Sequence, residues 1–95
     1  MMPDFIKRLF WDVDADTVDP VLHRAFIIRR IIDFGNPQDV RWMKQTYSPQ
    51  LIQEVIKKSR GISRKSGRYW AAYYGIPEEE VECLKTLYPK KLRPF

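Results

Sequence analysis

Six cations stand within KKSRGISRKSGRYW, residues 57–70: Lys57, Lys58, Arg60, Arg64, Lys65 and Arg68, with no acid among them and the rings of Tyr69 and Trp70 at the end. Like charges this close repel one another, so the stretch is either a solvated face or a surface that meets an anion. The chemistry these side chains supply is recognition: ammonium and guanidinium groups for phosphate or carboxylate oxygens, and aromatic planes for stacking. Bond-making chemistry finds little to work with. His23 is the sole histidine and Cys83 the sole cysteine, so neither a zinc site nor a cysteine–histidine pair can be assembled from them. A lone helical histidine is most simply a surface or half-packed residue, and Cys83 a small filler. The glycines follow neither the phosphate-loop nor the dinucleotide pattern. Asp12, Asp14 and Asp16 alternate, but a calcium loop counted from Asp12 needs a glycine and a glutamate where Thr17 and His23 stand. The expectation is a chain that is not an enzyme and takes no metal or cofactor, with these aspartates a polar lead-in to a helix cap at Asp19.

Charge is unevenly placed. The chain has 95 residues and a net charge of +5. Residues 1–47 hold seven basic and seven acidic side chains; residues 48–95 hold ten basic and five acidic, and carry the whole excess. A basic half beside a neutral half points to a polyanionic partner for the second half. Length and a hydrophobic content of 44% suit one globular domain, residues 1–95. No apolar run approaches the roughly 20 residues of a membrane span, and the N-terminus shows no secretory signal. A single cysteine fits a reducing, cytoplasmic address.

Proline and glycine punctuate the elements that must position the basic residues. Asp19-Pro20, Asn36-Pro37 and Ser48-Pro49 each pair a capping side chain with a first-turn proline. Ile76-Pro77 is followed by Glu78, Glu79 and Glu80, which suit the positive end of a helix. Gly35, Gly61 and Gly75 sit where left-handed caps would close helices, and Pro89 closes the last one. Between these marks the apolar residues recur at helical spacing. Leu22, Phe26 and Ile32, with Val21, Ala25, Ile28 and Ile31, form the broadest stripe; Val40, Met43 and Tyr47 form the next. Leu51, Ile52, Val55 and Ile56 follow, then Gly67, Trp70, Ala71 and Tyr74, then Val81, Leu84, Leu87 and Tyr88. No segment alternates with period two for more than a few residues. The pattern predicts an all-α fold, a compact bundle of about five helices, with a turn of helix around Phe5 to Phe10 in an N-terminal lead-in (residues 1–16). Residues 89–95 have the composition of a loosely ordered basic tail.

Residues 50–74 then read as a helix-turn-helix-like pair, with the turn at Arg60-Gly61-Ile62 and Ser63 capping the second helix. With Gly67, Trp70 and Tyr74 facing inward, Lys65, Arg68, Tyr69 and Ala72 share the outward face. Direct readout of DNA would fall to Lys65 and Arg68, with Arg64 or Tyr69, and phosphate anchoring to Lys57, Lys58 and Arg60. Two departures mark the pair: Lys57 stands four residues before the turn glycine, where a small residue lets the helices cross closely. Gly67 stands six after it, in place of a branched aliphatic, and would let a helix or the Trp70 ring come close. Helix-dipole complementation explains Lys57, Lys58 and Arg60 equally simply, and Trp70, Tyr73 and Tyr74 are core candidates before they are stacking platforms.

Phe10-Trp11-Asp12-Val13-Asp14, Phe26-Ile27-Ile28 with Gly35, Trp42, Lys57-Lys58-Ser59-Arg60 with Ile62-Ser63 and Lys65, Tyr69-Trp70-Ala71 and Tyr74-Gly75-Ile76-Pro77 together resemble a family of small prokaryotic helical proteins. Its members are often encoded beside nucleotidyltransferase toxins of the abortive-infection type, and the similarity runs over roughly residues 10–84. The resemblance implies a candidate antitoxin, which binds a cognate toxin protein and can also bind its own promoter. Gly67-Arg68 departs from the smaller polar residues of relatives and adds charge to the second helix of the pair. Two readings follow: a DNA-binding regulator acting on an operator in duplex DNA, as a homodimer if it is to be specific, or a module that neutralises a partner protein without touching DNA.

Overall fold

The computed structural model describes residues 2–85. Six α-helices follow one another: α1 (Asp4–Lys7), α2 (Arg24–Phe34), α3 (Pro37–Thr46), α4 (Pro49–Lys58), α5 (Arg64–Tyr74) and α6 (Glu82–Lys85), with 3-10 turns at Ala15–Thr17 and Glu78–Glu80. There is no strand among the described residues, and the fold is all-α. Leu87, Tyr88, Pro89 and the basic tail lie outside the described residues.

Three helix starts follow directly from local chemistry. Asn36 and Asp39 form a reciprocal capping box on α3: the Asn36 side chain accepts from the Asp39 N–H at 3.0 Å, and the Asp39 carboxylate accepts from the Asn36 N–H at 2.9 Å. Ser48 accepts from the Leu51 N–H to start α4, and Ser63 from the Ser66 N–H to start α5. At Asp19 the outcome differs. Its carboxylate accepts from the N–H groups of Val21 and Leu22, and its own N–H donates to His23 Nδ1 at 2.9 Å. These side-chain bonds close a separate turn, and the helix begins only at Arg24. The stripe shifts accordingly: Ile27, Ile28, Ile31 and Ile32 are buried, Ala25 is exposed, and Val21 and Leu22 are 70% and 75% exposed.

Glycine also splits into two roles. Gly75 closes α5 in the left-handed region, at φ 68°, where a side chain is strained. Gly35 does not: its φ is −76°, and a Cβ there would lie 2.6 Å from the Ile31 carbonyl oxygen and 3.2 Å from Asp39 Cβ. The constraint at Gly35 is close approach. Gly61 also lacks a positive φ. The Pro77 segment makes only the 3-10 turn before a second short start at Glu82, so the expected final helix is divided.

The N-terminal segment belongs to the core rather than leading up to it. Met2, Ile6, Leu9 and Phe10 pack with the α2 isoleucines, Met43, Ile52 and Ile56. Arg30 fastens the segment down. Its guanidinium donates to the Leu9 carbonyl at 2.8 Å, pairs with Asp12 at 2.7 Å, and lies over the rings of Phe10, Trp11 and Phe26. Asp14 caps the Ala15–Thr17 turn and Asp16 pairs with Lys7, so with Asp12 on Arg30 each aspartate of the alternating run has a structural use.

Arg8 reaches from the same segment to Asp39, with Nη1 at 2.9 Å and Nη2 at 2.5 Å from the two carboxylate oxygens. Asp39 is fully buried. Burial pushes its carboxyl up, but the Arg8 hydrogen bonds, the Asn36 N–H and the Arg8 charge together outweigh that and hold it below its usual value. The two ends of this pair are unequal in exposure. Arg8→Ala strands a carboxylate with no access to water and is expected to cost about 3–5 kcal/mol. Asp39→Ala leaves an arginine side chain that is 44% exposed and can turn to solvent, so about 2–3 kcal/mol is expected. Urea denaturation should rank them in that order, with the double variant less damaged than the sum. Because the folded carboxyl titrates below the usual value of 3.8, this stabilisation is complete above that pH and is lost as pH falls through the lower, folded value. The double variant should show less of that acid loss than wild type.

Candidate nucleic-acid interface

The helix α4, the turn Ser59–Ser63 and the helix α5 are held as a unit by what each buries. From α4, Ile52, Val55 and Ile56 point into the core, and Ile62 anchors the turn. From α5, Gly67, Trp70 and Ala71 are buried and Tyr74 is half-buried, on the expected inward stripe. Trp70 donates its indole N–H to the Ile32 carbonyl at 3.2 Å, and Ser66 donates to Asp33 at 2.9 Å. Both bonds tie α5 to the last turn of α2. Gly67 has its own reason: a Cβ there would lie 2.5 Å from Cys83 Sγ. The close neighbour that this glycine admits is therefore α6. Cys83 is buried, and burial pushes its thiol up against the opposing pull of the Arg64 charge.

The seven residues singled out by sequence do not share one fate. Lys65, Arg68 and Tyr69 are exposed on the outward side of α5, together with Ala72. Neither Lys65 nor Arg68 meets an acid among the described residues. Arg64 is half-buried and its charge acts on Cys83, so it lies at the α6 flank of the pair. The anchoring trio is self-compensated. Lys57 pairs with Glu80 at 3.5 Å, Lys58 with Glu54 at 3.4 Å, and Arg60 with Glu82 at 3.5 Å. Exposed pairs of this kind hold each other with about 0–1 kcal/mol, weakly enough to exchange for another anion.

Sequence reasoning missed the aromatic surface beside this face. Tyr73 is 51% exposed, not core, with Lys44 over its ring at 4.2 Å and hydrogen-bonded to its hydroxyl. Trp11 and Phe34, both largely exposed, meet edge to face at 5.3 Å. An open groove of about 820 Å³ runs between the α2–α3 corner and α5, with Phe34, Lys44, Lys65, Tyr69 and Tyr73 on its walls. Local periodicity gave no warning at Phe34, which stands seven residues after Ile27 and three after Ile31, at the edge of the isoleucine stripe. The pairing with Trp11 joins residues too distant in sequence for periodicity to reveal.

Among the described residues no group of histidine, cysteine and acidic side chains is placed to hold a metal ion, and no helix is long and apolar enough to cross a membrane. The geometry defines an all-helical domain that offers a helix–turn–helix pair with a basic outward face. The chain belongs to a family of unknown function (DUF6922), whose sequence pattern matches residues 5–56. The match ends inside α4, so the turn and α5 lie beyond it. No curated protein and no solved structure matches the chain.

Two substitutions test how α5 is seated. Trp70→Ala removes a buried indole and its hydrogen bond to α2, and should cost about 3–5 kcal/mol in urea denaturation. Gly67→Ala drives a methyl into Cys83 Sγ and should cost about 1–3 kcal/mol. Adding Cys83→Ala should return most of the second loss, because it removes the atom that the new Cβ meets. No recovery in the double variant would mean that α6 does not rest on Gly67.

Proposed function

We propose that this protein is a non-enzymatic, DNA-binding regulator that uses α5 as its reading helix, in keeping with the antitoxin-like role that its sequence resemblance implies. The observation carrying this reading is the outward face of α5. Lys65 and Arg68 stand there exposed and without acid partners among the described residues, on a helix whose opposite side is pinned by Trp70 and Gly67. A basic face on a rigidly seated helix keeps its side chains available for phosphates or base edges. Tyr69, 62% exposed beside them, offers a ring for sugar or base contact. One such helix spans few base pairs, so specific operator binding calls for two copies. The cell's cytoplasm is the compartment this role requires.

The glutamates across from the anchoring trio add a sharper expectation. Glu80 must yield Lys57 before that lysine can grip a phosphate, and its own charge repels the DNA. In titrations of duplex DNA at several salt concentrations, log affinity should fall linearly with log salt. Arg68→Ala should weaken binding while leaving stability within about 0.5 kcal/mol. Glu80→Gln should strengthen binding by a few-fold. No binding by wild type at low salt would exclude DNA as the partner.

A second reading rests on the aromatic groove. Phe34, Tyr69 and Tyr73 with Trp11, edged by Lys44 and Lys65, make the mixture of rings and cations enriched at protein interfaces. On this reading the protein neutralises an acidic partner, the resemblance pointing to a nucleotidyltransferase toxin. Co-purification with the product of a neighbouring gene, lost on Tyr73→Ala and kept on Arg68→Ala, would favour it over DNA binding.

A further inference from the structure

Arg29 stands half-buried in α2, yet no carboxylate or carbonyl among the described residues accepts from its guanidinium. Its guanidinium lies 5.8 Å from the centre of the Phe26 ring. The Arg29 Nε is buried and unpaired, and so is the hydroxyl of Ser59, a residue only 9% exposed. Burying such donors without an acceptor is costly, more so for a charged one. Both residues line the same groove, of about 460 Å³, between α2 and α4. Arg24 and Lys58 line it too, against the single carboxylate of Glu54, which pairs with Lys58. Three cations and one acid leave the groove with a net positive charge.

We propose that this groove is a phosphate-binding site in which Arg29 and Ser59 supply the inner donors and Lys58 and Arg24 the outer charge. A guanidinium fork with a hydroxyl and an ammonium beside it matches a group that carries several acceptor oxygens and more than one negative charge. Placement connects the site to α5. A Cβ on Gly61 would lie 3.8 Å from Arg29 Nη1, so Arg29 reaches the turn from which α5 starts. A phosphate held by Arg29 and Ser59 would sit at the end of α4, next to the turn that leads into α5, where a backbone contact fixes register. The assignment of that phosphate to DNA rests on the DNA-binding reading; the anion chemistry of the groove does not.

The test uses the full chain, with inorganic pyrophosphate as one probe and random-sequence duplex DNA across a salt series as the other. Arg29→Ala should weaken pyrophosphate binding about tenfold or more, and should make the salt slope for DNA shallower by about one. Arg29→Lys, which keeps the charge and loses the fork, should fall between. Ser59→Ala removes an unpaired buried hydroxyl, so it should fold at least as well as wild type while binding pyrophosphate several-fold more weakly; it decides the matter should Arg29→Ala fail to fold. If wild type binds DNA and these variants match it in slope and in pyrophosphate affinity, the groove is not a phosphate site and the DNA reading survives. Arg29-dependent pyrophosphate binding without DNA binding would keep the site, assign it to a free phosphate compound, and remove the DNA reading. An Arg29-dependent slope with no pyrophosphate binding supports the DNA backbone as the source. Binding of neither probe overturns both.

Discussion

The bidentate pair between Arg8 and the fully buried Asp39 is the constraint on which the rest of the arrangement depends. Asp39 serves two structures at once: it closes the capping box that starts α3, and it receives the N-terminal segment through Arg8. A buried carboxylate tolerates neither loss, because every acceptor position given up is a charge left in a medium that cannot solvate it. Gly35 keeps this corner tight, since a side chain there would collide with the Ile31 carbonyl and crowd the Asp39 Cβ. Three neighbouring requirements therefore meet at the corner between α2 and α3.

That corner governs the candidate site although it contributes little to its chemistry. The last turn of α2 leads into Gly35, and it is also where α5 is moored, through Trp70 to Ile32 and Ser66 to Asp33. With one side of α5 bound to α2 and its Gly67 notch filled by Cys83, the helix has a single side left to present. That side carries Lys65, Arg68 and Tyr69. Rigid support of this kind lets a few cations act as a defined surface: holding a long side chain's base in place reduces the entropy lost when its tip meets a partner.

The electrostatics divide into a compensated and an uncompensated part. Around the end of α4, cations are matched by Glu54, Glu80 and Glu82 through exposed, exchangeable pairs. On α5, and at Arg29 in the groove beneath the turn, no such match exists among the described residues. A count of charges along residues 57–68 treats all six cations alike, whereas the fold separates those already spoken for from those that are not. Glu80 and Glu82 come from beyond α5, so their arrival at Lys57 and Arg60 depends on how the chain returns after Gly75.

Sequence by itself determined what is settled within a turn or two of chain. The capping chemistry of Asn36, Ser48 and Ser63 was legible because a cap bonds N–H groups two or three residues away. The inward face of α5 was legible because helical periodicity is local too, and the all-α class followed from the same signal. The limit of local reading shows at Asp19, where side-chain bonds to Val21, Leu22 and His23 favour a closed turn over a helix, and Val21 and Leu22 are left outside. Tertiary structure decided everything that depends on which surfaces meet. It made Gly35 a site of close approach rather than of turning, and it set Cys83 of α6 as the neighbour that Gly67 admits, since the identity of a neighbour cannot be read from a glycine. It exposed Tyr73, joined Trp11 to Phe34, and left Arg29 half-buried without an acid. Burial and charge pairing are properties of groups brought together from distant parts of the chain, and only the packed chain brings them together.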